Sequence, residues 1–188
     1  MLKTSRNELG FVRGWIADRR PDLIKSNEGG SNQLLFRAPW AVTAERRLTL
    51  ARLPERRRMM WLRLQHPDGH VVCVANLHAS AHKPERAAAE VARAAAQARD
   101  WSGSHPLILG GDFNVRPSAG TGLFDALSVD GFSGPTAHDA IDHLLVHGAG
   151  VTEAPRKLPA ERREVQAPDA ARVRLSDHAV VVAAFDME

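Results

Sequence analysis

The chain has 188 residues, 44% hydrophobic and 25% charged, with a formal net charge of +3, which suits a globular domain with a sizeable core and excludes a low-complexity or disordered polymer. The single cysteine, Cys73, excludes an internal disulfide and is compatible with a reducing compartment. No apolar run approaches the roughly 20 residues of a membrane span, and Lys3 and Arg6 are followed by no signal-peptide apolar region, so a cytoplasmic protein is expected.

Residues 1–30 scatter Trp15, Ile16, Leu23 and Ile24 among charges and end at a turn, Glu28-Gly29-Gly30-Ser31-Asn32. Gln33–Arg37 reads as a strand stopped by Pro39, and Arg46–Leu53 as a second, followed by a charged turn at Pro54-Glu55-Arg56-Arg57. Met59–Leu64 reads as a strand, Pro67-Asp68-Gly69 as a tight turn, and Val71–Leu77 as an almost wholly apolar return strand, with Cys73 buried and inert within it. Such a meander predicts antiparallel pairing with a buried face. Pro84 then opens an Ala-rich helix to about Arg99, whose Arg86, Glu90, Arg93 and Gln97 recur at spacings of three or four and predict one solvated face. Strand, helix and strand over 71–110 form a crossover unit. Gly122–Leu127 is a short helix candidate and 128–140 a loop. Ile141–Val146 is a strand, 154–169 shows no usable pattern, and Ala179–Phe185 is a closing strand.

The most informative stretch is Leu107–Pro117. Three apolar residues run into Gly110 and Gly111, and Asp112 and Asn114 follow two apart. In extended chain, residues i and i+2 point to one side, so this carboxylate and amide can converge on a water, a metal or a phosphate oxygen. The alternative is a strand followed by an Asx turn in which both merely bond local backbone. Asn76 and His78 are likewise two apart at a strand end, and Asp142, Asp177 and His178 flank two further strands. Carboxylates, an amide and histidines without a Cys cluster form a hard ligand set suited to Mg²⁺, and histidines beside carboxylates serve as acids, bases or cationic phosphate clamps.

The order Asn76-Leu77-His78, Gly110-Gly111-Asp112-Phe113-Asn114, Ile141-Asp142-His143 and Ser176-Asp177-His178 resembles the endonuclease/exonuclease/phosphatase superfamily, the DNase I-like proteins, from about residue 30 onward. The resemblance implies an α/β fold, a four-layer sandwich of two mixed sheets flanked by helices, in a single domain over 1–188. It also implies cleavage of a phosphodiester, nucleic acid among the candidates, with Mg²⁺ or Mn²⁺. On that pattern Asp112 orients and deprotonates the attacking water, Asn114 holds the water or a phosphate oxygen, and His178 stabilises the developing charge. Asp142 pairs with a histidine, expected at His78, which is a candidate acid for the leaving oxygen. Asp177 and Asp112 lie at the metal. The superfamily's opening Asn and Gln-Glu motifs are not found before Gln33, so the fold is expected to be incomplete at its N-terminal end, with Glu8 and Glu28 as candidate replacements for the metal-binding Glu. A truncated, inactive relative acting as a binding remnant is the competing expectation, and an exposed sheet edge would then invite self-association.

Overall fold

The computed structural model describes residues 2–3, 32–53, 56–166 and 172–186. Glu8 and Glu28, and Pro54 and Glu55 of the expected charged turn, lie outside them. Two short strands, β1 (Leu2–Lys3) and β2 (Gln33–Leu34), pair antiparallel. The strand expected over Gln33–Arg37 stops at Leu34. The chain turns at Pro39 instead, Trp40 N donates to Arg37 O, and Leu35 stays exposed.

The centre is a five-stranded mixed sheet in the order β3-β4-β5-β6-β7. Its strands are β3 (Ala41–Ala51), β4 (Arg57–Gln65), β5 (Val71–His78), β6 (Leu107–Asp112) and β7 (Asp142–His147). β3, β4 and β5 run antiparallel through the turn at 66–69, where Gly69 N donates to His66 O. β5 and β6 are parallel, joined by helix α1 (Pro84–Ser102), and β7 returns antiparallel to β6. β3 begins five residues earlier than the pattern from Arg46 implies, because its outer half is exposed and carries no apolar alternation.

Alternation sets the two faces of the sheet. Cys73, Ala75 and Leu77 of β5, Leu107 and Leu109 of β6, and Leu145 of β7 pack with Ala87, Val91, Ala94 and Ala98 of α1 into the main core. Small residues on α1 let the helix lie close to the sheet. On the opposite face Met60, Leu62, Leu64 and Val72 form a second cluster with Leu34, Trp40, Val74 and Ile108 against it.

The solvated face expected on α1 is observed in part: Arg93 is exposed and Arg86 and Gln97 are half-buried, but Glu90 is not solvated. Glu90 is buried, Arg86 donates to Leu53 O, and Arg93 donates to Thr49 O and Leu50 O. The helix lies over the end of β3, so Arg93 and Arg86 reach carbonyls of β3 and of the residue two beyond it, while Gln97 bonds Asp100 at the surface.

Helix α2 (Leu123–Val129) precedes β7 in sequence, and β8 (Gly150–Lys157) follows it. β8 pairs antiparallel with β11 (Val181–Asp186), a pair that adjoins β7. Between them β9 (Glu164–Gln166) and β10 (Arg172–Arg174) form a small antiparallel arm. The patternless stretch 154–169 thus holds the end of β8 and all of β9. β8 has seven exposed residues out of eight and no buried face to reveal a period of two.

Candidate active site

Three strands end in register at one edge of the central sheet. His78 of β5 lies opposite Asp112 of β6, and Asp112 opposite Asp142 of β7. The residues preceding them in the alternation, Leu77 and Leu109, face α1. The row His78–Asp112–Asp142 therefore projects from the face away from the helix.

The two glycines make this register attainable. Gly111 has φ +126°, and a Cβ there would stand 2.0 Å from Leu77 O and 2.7 Å from Asn76 Oδ1. At Gly110 a Cβ would meet Leu144 Cδ2 at 2.6 Å. Gly111 is the stringent position, since its Cβ would meet backbone of β5, whereas at Gly110 the end of the Leu144 side chain can shift.

His178 arrives from the segment before β11. Its Nδ1 lies 2.9 Å from Asp142 Oδ1 and 2.8 Å from Asp142 Oδ2, and its Nε2 faces Asp112 Oδ2 at 4.0 Å. The expected partner of Asp142 was His78. The structure pairs Asp142 with His178 instead, while His78 Nε2 sits 3.2 Å from Asp112 Oδ2. The reason is topological: Asp112 of β6 stands between β5 and β7 and takes the contact with His78 itself.

Arg163 sets the position of His178, a residue the sequence offered no signal for. Its carbonyl accepts from Leu175 N and its Nη1 donates to Asp177 O at 2.8 Å, while Ser176 Oγ accepts from His178 N. Asp177 acts on the cluster only through its charge, which raises the pKa of the adjoining His178. This residue is exposed and is not part of the set Asp112, Asp142 and His178, whose ligand atoms all lie within 4.8 Å of one another.

Asn114 combines the two readings of its motif. Its φ is +51°, so the chain has left the extended conformation, and its N–H donates to Asp112 Oδ1 at 3.0 Å in an Asx turn. Its Nδ2 donates to Ala79 O at 3.1 Å, tying the end of β6 to the end of β5. One further N–H of that amide and its oxygen can serve a ligand. Asn76 is structural. Its Nδ2 donates to Gln33 O and its carbonyl accepts from Asn32, which anchors β2. His143, next to Asp142, faces the core. Nδ1 accepts from Thr136 N, Nε2 donates to Val115 O and Ala140 O, and Phe113 and Phe124 flank the ring. Burial lowers its pKa and keeps it neutral.

The electrostatics separate Asp112 from His178. Burial lifts the Asp112 carboxyl above its ordinary range, with the Asp142 charge adding to the rise and His78, the Asn114 N–H and His178 opposing it. For His178 burial acts downward, but the hydrogen bond and charge of Asp142, with the charges of Asp112 and Asp177, outweigh it, and its pKa is raised. A carboxylate held against the cost of burial is one that a cation would relieve. Mg²⁺ is commonly bound by one or two carboxylates, with water and substrate phosphate completing its shell. The donor set fits such an ion, since the carboxylates of Asp112 and Asp142 offer oxygens within 4.8 Å of one another.

Solved structures share this architecture. An endonuclease/exonuclease/phosphatase from Bacteroides vulgatus superposes with a TM-score of 0.60 at 16% identity, covering 79% of this chain and 67% of its own. The mannosyl-6-phosphatase of Bacteroides thetaiotaomicron gives 0.59 at 17%, covering 78% and 67%. The human Nocturnin catalytic domain with bound sulfate gives 0.53 at 19%, covering 79% and 60%. The chain thus spans about two thirds of the length of the structures it matches. No protein-family model and no curated protein sequence matches it. The fold is the DNase I-like α/β fold of the endonuclease/exonuclease/phosphatase proteins, and the strand-end cluster is built on its central sheet.

Proposed function

We propose that this chain hydrolyses phosphoesters with Mg²⁺ or Mn²⁺, at the cluster of His78, Asp112, Asn114, Asp142 and His178. The observation that carries this reading is the Asp142-paired imidazole of His178, whose Nε2 faces the half-buried carboxylate of Asp112. An imidazolium held by one carboxylate and aimed at the space beside another is a donor placed where phosphoryl charge develops. Asp112 accepts the proton of the attacking water and would hold the cation. Asn114 presents its remaining amide groups to the water or a phosphate oxygen. His78, 3.2 Å from Asp112 and partly exposed, protonates the leaving oxygen. The cation, when bound, polarises the phosphoryl oxygen and offsets its charge.

Two comparison structures, a sugar-phosphate phosphatase and a protein holding sulfate, are consistent with a tetrahedral anion as the group recognised. The test is turnover by the purified chain of p-nitrophenyl phosphate, its bis-ester, a hexose 6-phosphate and a short oligonucleotide, with Mg²⁺, Mn²⁺ or chelator. Turnover that needs the metal, and that falls about 10²–10³-fold in Asp112→Ala, is expected. No turnover of any substrate would favour a binding remnant instead.

A further inference from the structure

We infer that Glu90 of helix α1 is a positioning residue for this site: it fixes the two residues that follow His78 and so holds His78 against Asp112. The inference rests on the hydrolase reading for its effect on rate, and on geometry alone for its effect on the chain.

Glu90 is 6% exposed and is the one acidic residue among the buried positions of α1, which are otherwise Ala, Val and Ser. A carboxylate at that depth is costly unless donors surround it. Three do. Ser80 N donates to Oε2 at 2.7 Å, Ser80 Oγ donates to Oε1 at 2.8 Å, and Arg86 Nε donates to Oε1 at 3.0 Å. Arg86 in turn donates to Leu53 O at 2.8 Å, which braces the carboxylate from the far side.

Ser80 is two residues beyond His78. The β5–β6 ladder closes at His78 and Asp112, after which Ala79 N donates to Asp112 O and Ala79 O accepts from Asn114 Nδ2. The segment Ala79–Ser80 is therefore held from one side by the Asp112–Asn114 motif and from the other by Glu90. The His78 side chain is 39% exposed and its Nε2 lies 3.2 Å from Asp112 Oδ2, so a shift of the backbone that carries it changes that contact directly. A residue that merely fastened α1 to the sheet would need no acceptor for both polar groups of Ser80.

The experiment compares the full chain with Glu90→Ala, Glu90→Gln and Ser80→Ala by residue-resolved amide hydrogen exchange and by steady-state kinetics on p-nitrophenyl phosphate with Mg²⁺. In Glu90→Ala the Ala79 amide should exchange about tenfold faster while the Val91 and Leu109 amides keep their protection, a local rather than global opening. kcat should fall about 10–100-fold with KM nearly unchanged, since misplacement by about 1 Å costs on that order. Glu90→Gln, which keeps an acceptor for Ser80 N, should restore most of both, and Ser80→Ala should move both in the same direction by less. If Glu90→Ala does not fold, the last two variants decide the question. Unchanged Ala79 exchange, faster exchange at Val91 and Leu109 as well, or an unchanged kcat would overturn the inference. Absence of turnover in the unsubstituted chain would remove the hydrolase reading alone, and Ala79 exchange would still decide whether Glu90 anchors the segment.

Discussion

Asp112 shows how one residue can oppose stability while serving chemistry. Its folded pKa lies above the ordinary value of 3.8, chiefly through burial. The fold therefore favours the protonated carboxyl, and the charged form costs stability at any pH above the folded pKa. Asp112→Asn removes that cost and keeps an oxygen for the Asn114 N–H. It should raise the thermal midpoint at pH 7.5 and lower phosphoester turnover by about 10²–10³-fold. Differential scanning calorimetry beside the kinetic assay checks both, and a lower midpoint with intact turnover would contradict them. Sequence parity pairs Asn76 with His78 and Asp112 with Asn114 within their own segments, and the register of β5, β6 and β7 sets His78, Asp112 and Asp142 in one row. Parity does not reveal which histidine Asp142 meets, because that depends on β6 lying between β5 and β7 and on Arg163 placing the segment before β11. His143 stands beside Asp142 in the chain yet faces the core, as the alternation of β7 requires.

At the scale of elements, the parallel pair β5–β6 with its crossover helix is the frame of the site. Gly111 is its tightest point. Gly111→Ala would place a methyl 2.0 Å from a backbone oxygen of β5 at φ +126°, so β5 and β6 must separate. A loss of more than about 3 kcal/mol in guanidinium unfolding is expected, in the range reserved for a broken special conformation. Gly69→Ala is the control, for nothing lies within 4 Å of its Cβ and only conformational strain of about 1 kcal/mol applies. Equal small losses for both would contradict the close approach. β4 to β7 were legible as short apolar runs bounded by turn residues, and α1 from its Ala-rich stretch opened by Pro84. β8 and β9 were not, since exposed strands leave no alternation in the residues. In the polar row of α1 only Glu90 departs from the expected solvated face, because the period of a helix marks its polar side without saying what lies opposite each residue.

For the molecule as a whole, the order of four short motifs was enough to indicate the DNase I-like fold, which the solved structures share at 16–19% identity. Composition alone could not, since a soluble α/β chain of this charge fits many architectures. Among the described residues no helix is long and apolar enough to cross a membrane. Among the described residues β3 is an outer strand of the central sheet, and it carries Glu45, Arg46 and Arg47 and two register shifts against β4. The sheet brings together groups from positions 78, 112, 142 and 178, and the central claim is that Asp142 and His178 act there as one unit on a phosphoester. A double-mutant cycle with Asp142→Ala, His178→Ala and the combined variant, read as Mg²⁺-dependent turnover of p-nitrophenyl phosphate or its bis-ester, tests it most directly. The prediction is a loss of about 10²–10³-fold in each single variant and no further loss in the double, as for residues that work through one another. Full turnover in His178→Ala, or losses that multiply in the double variant, would contradict it.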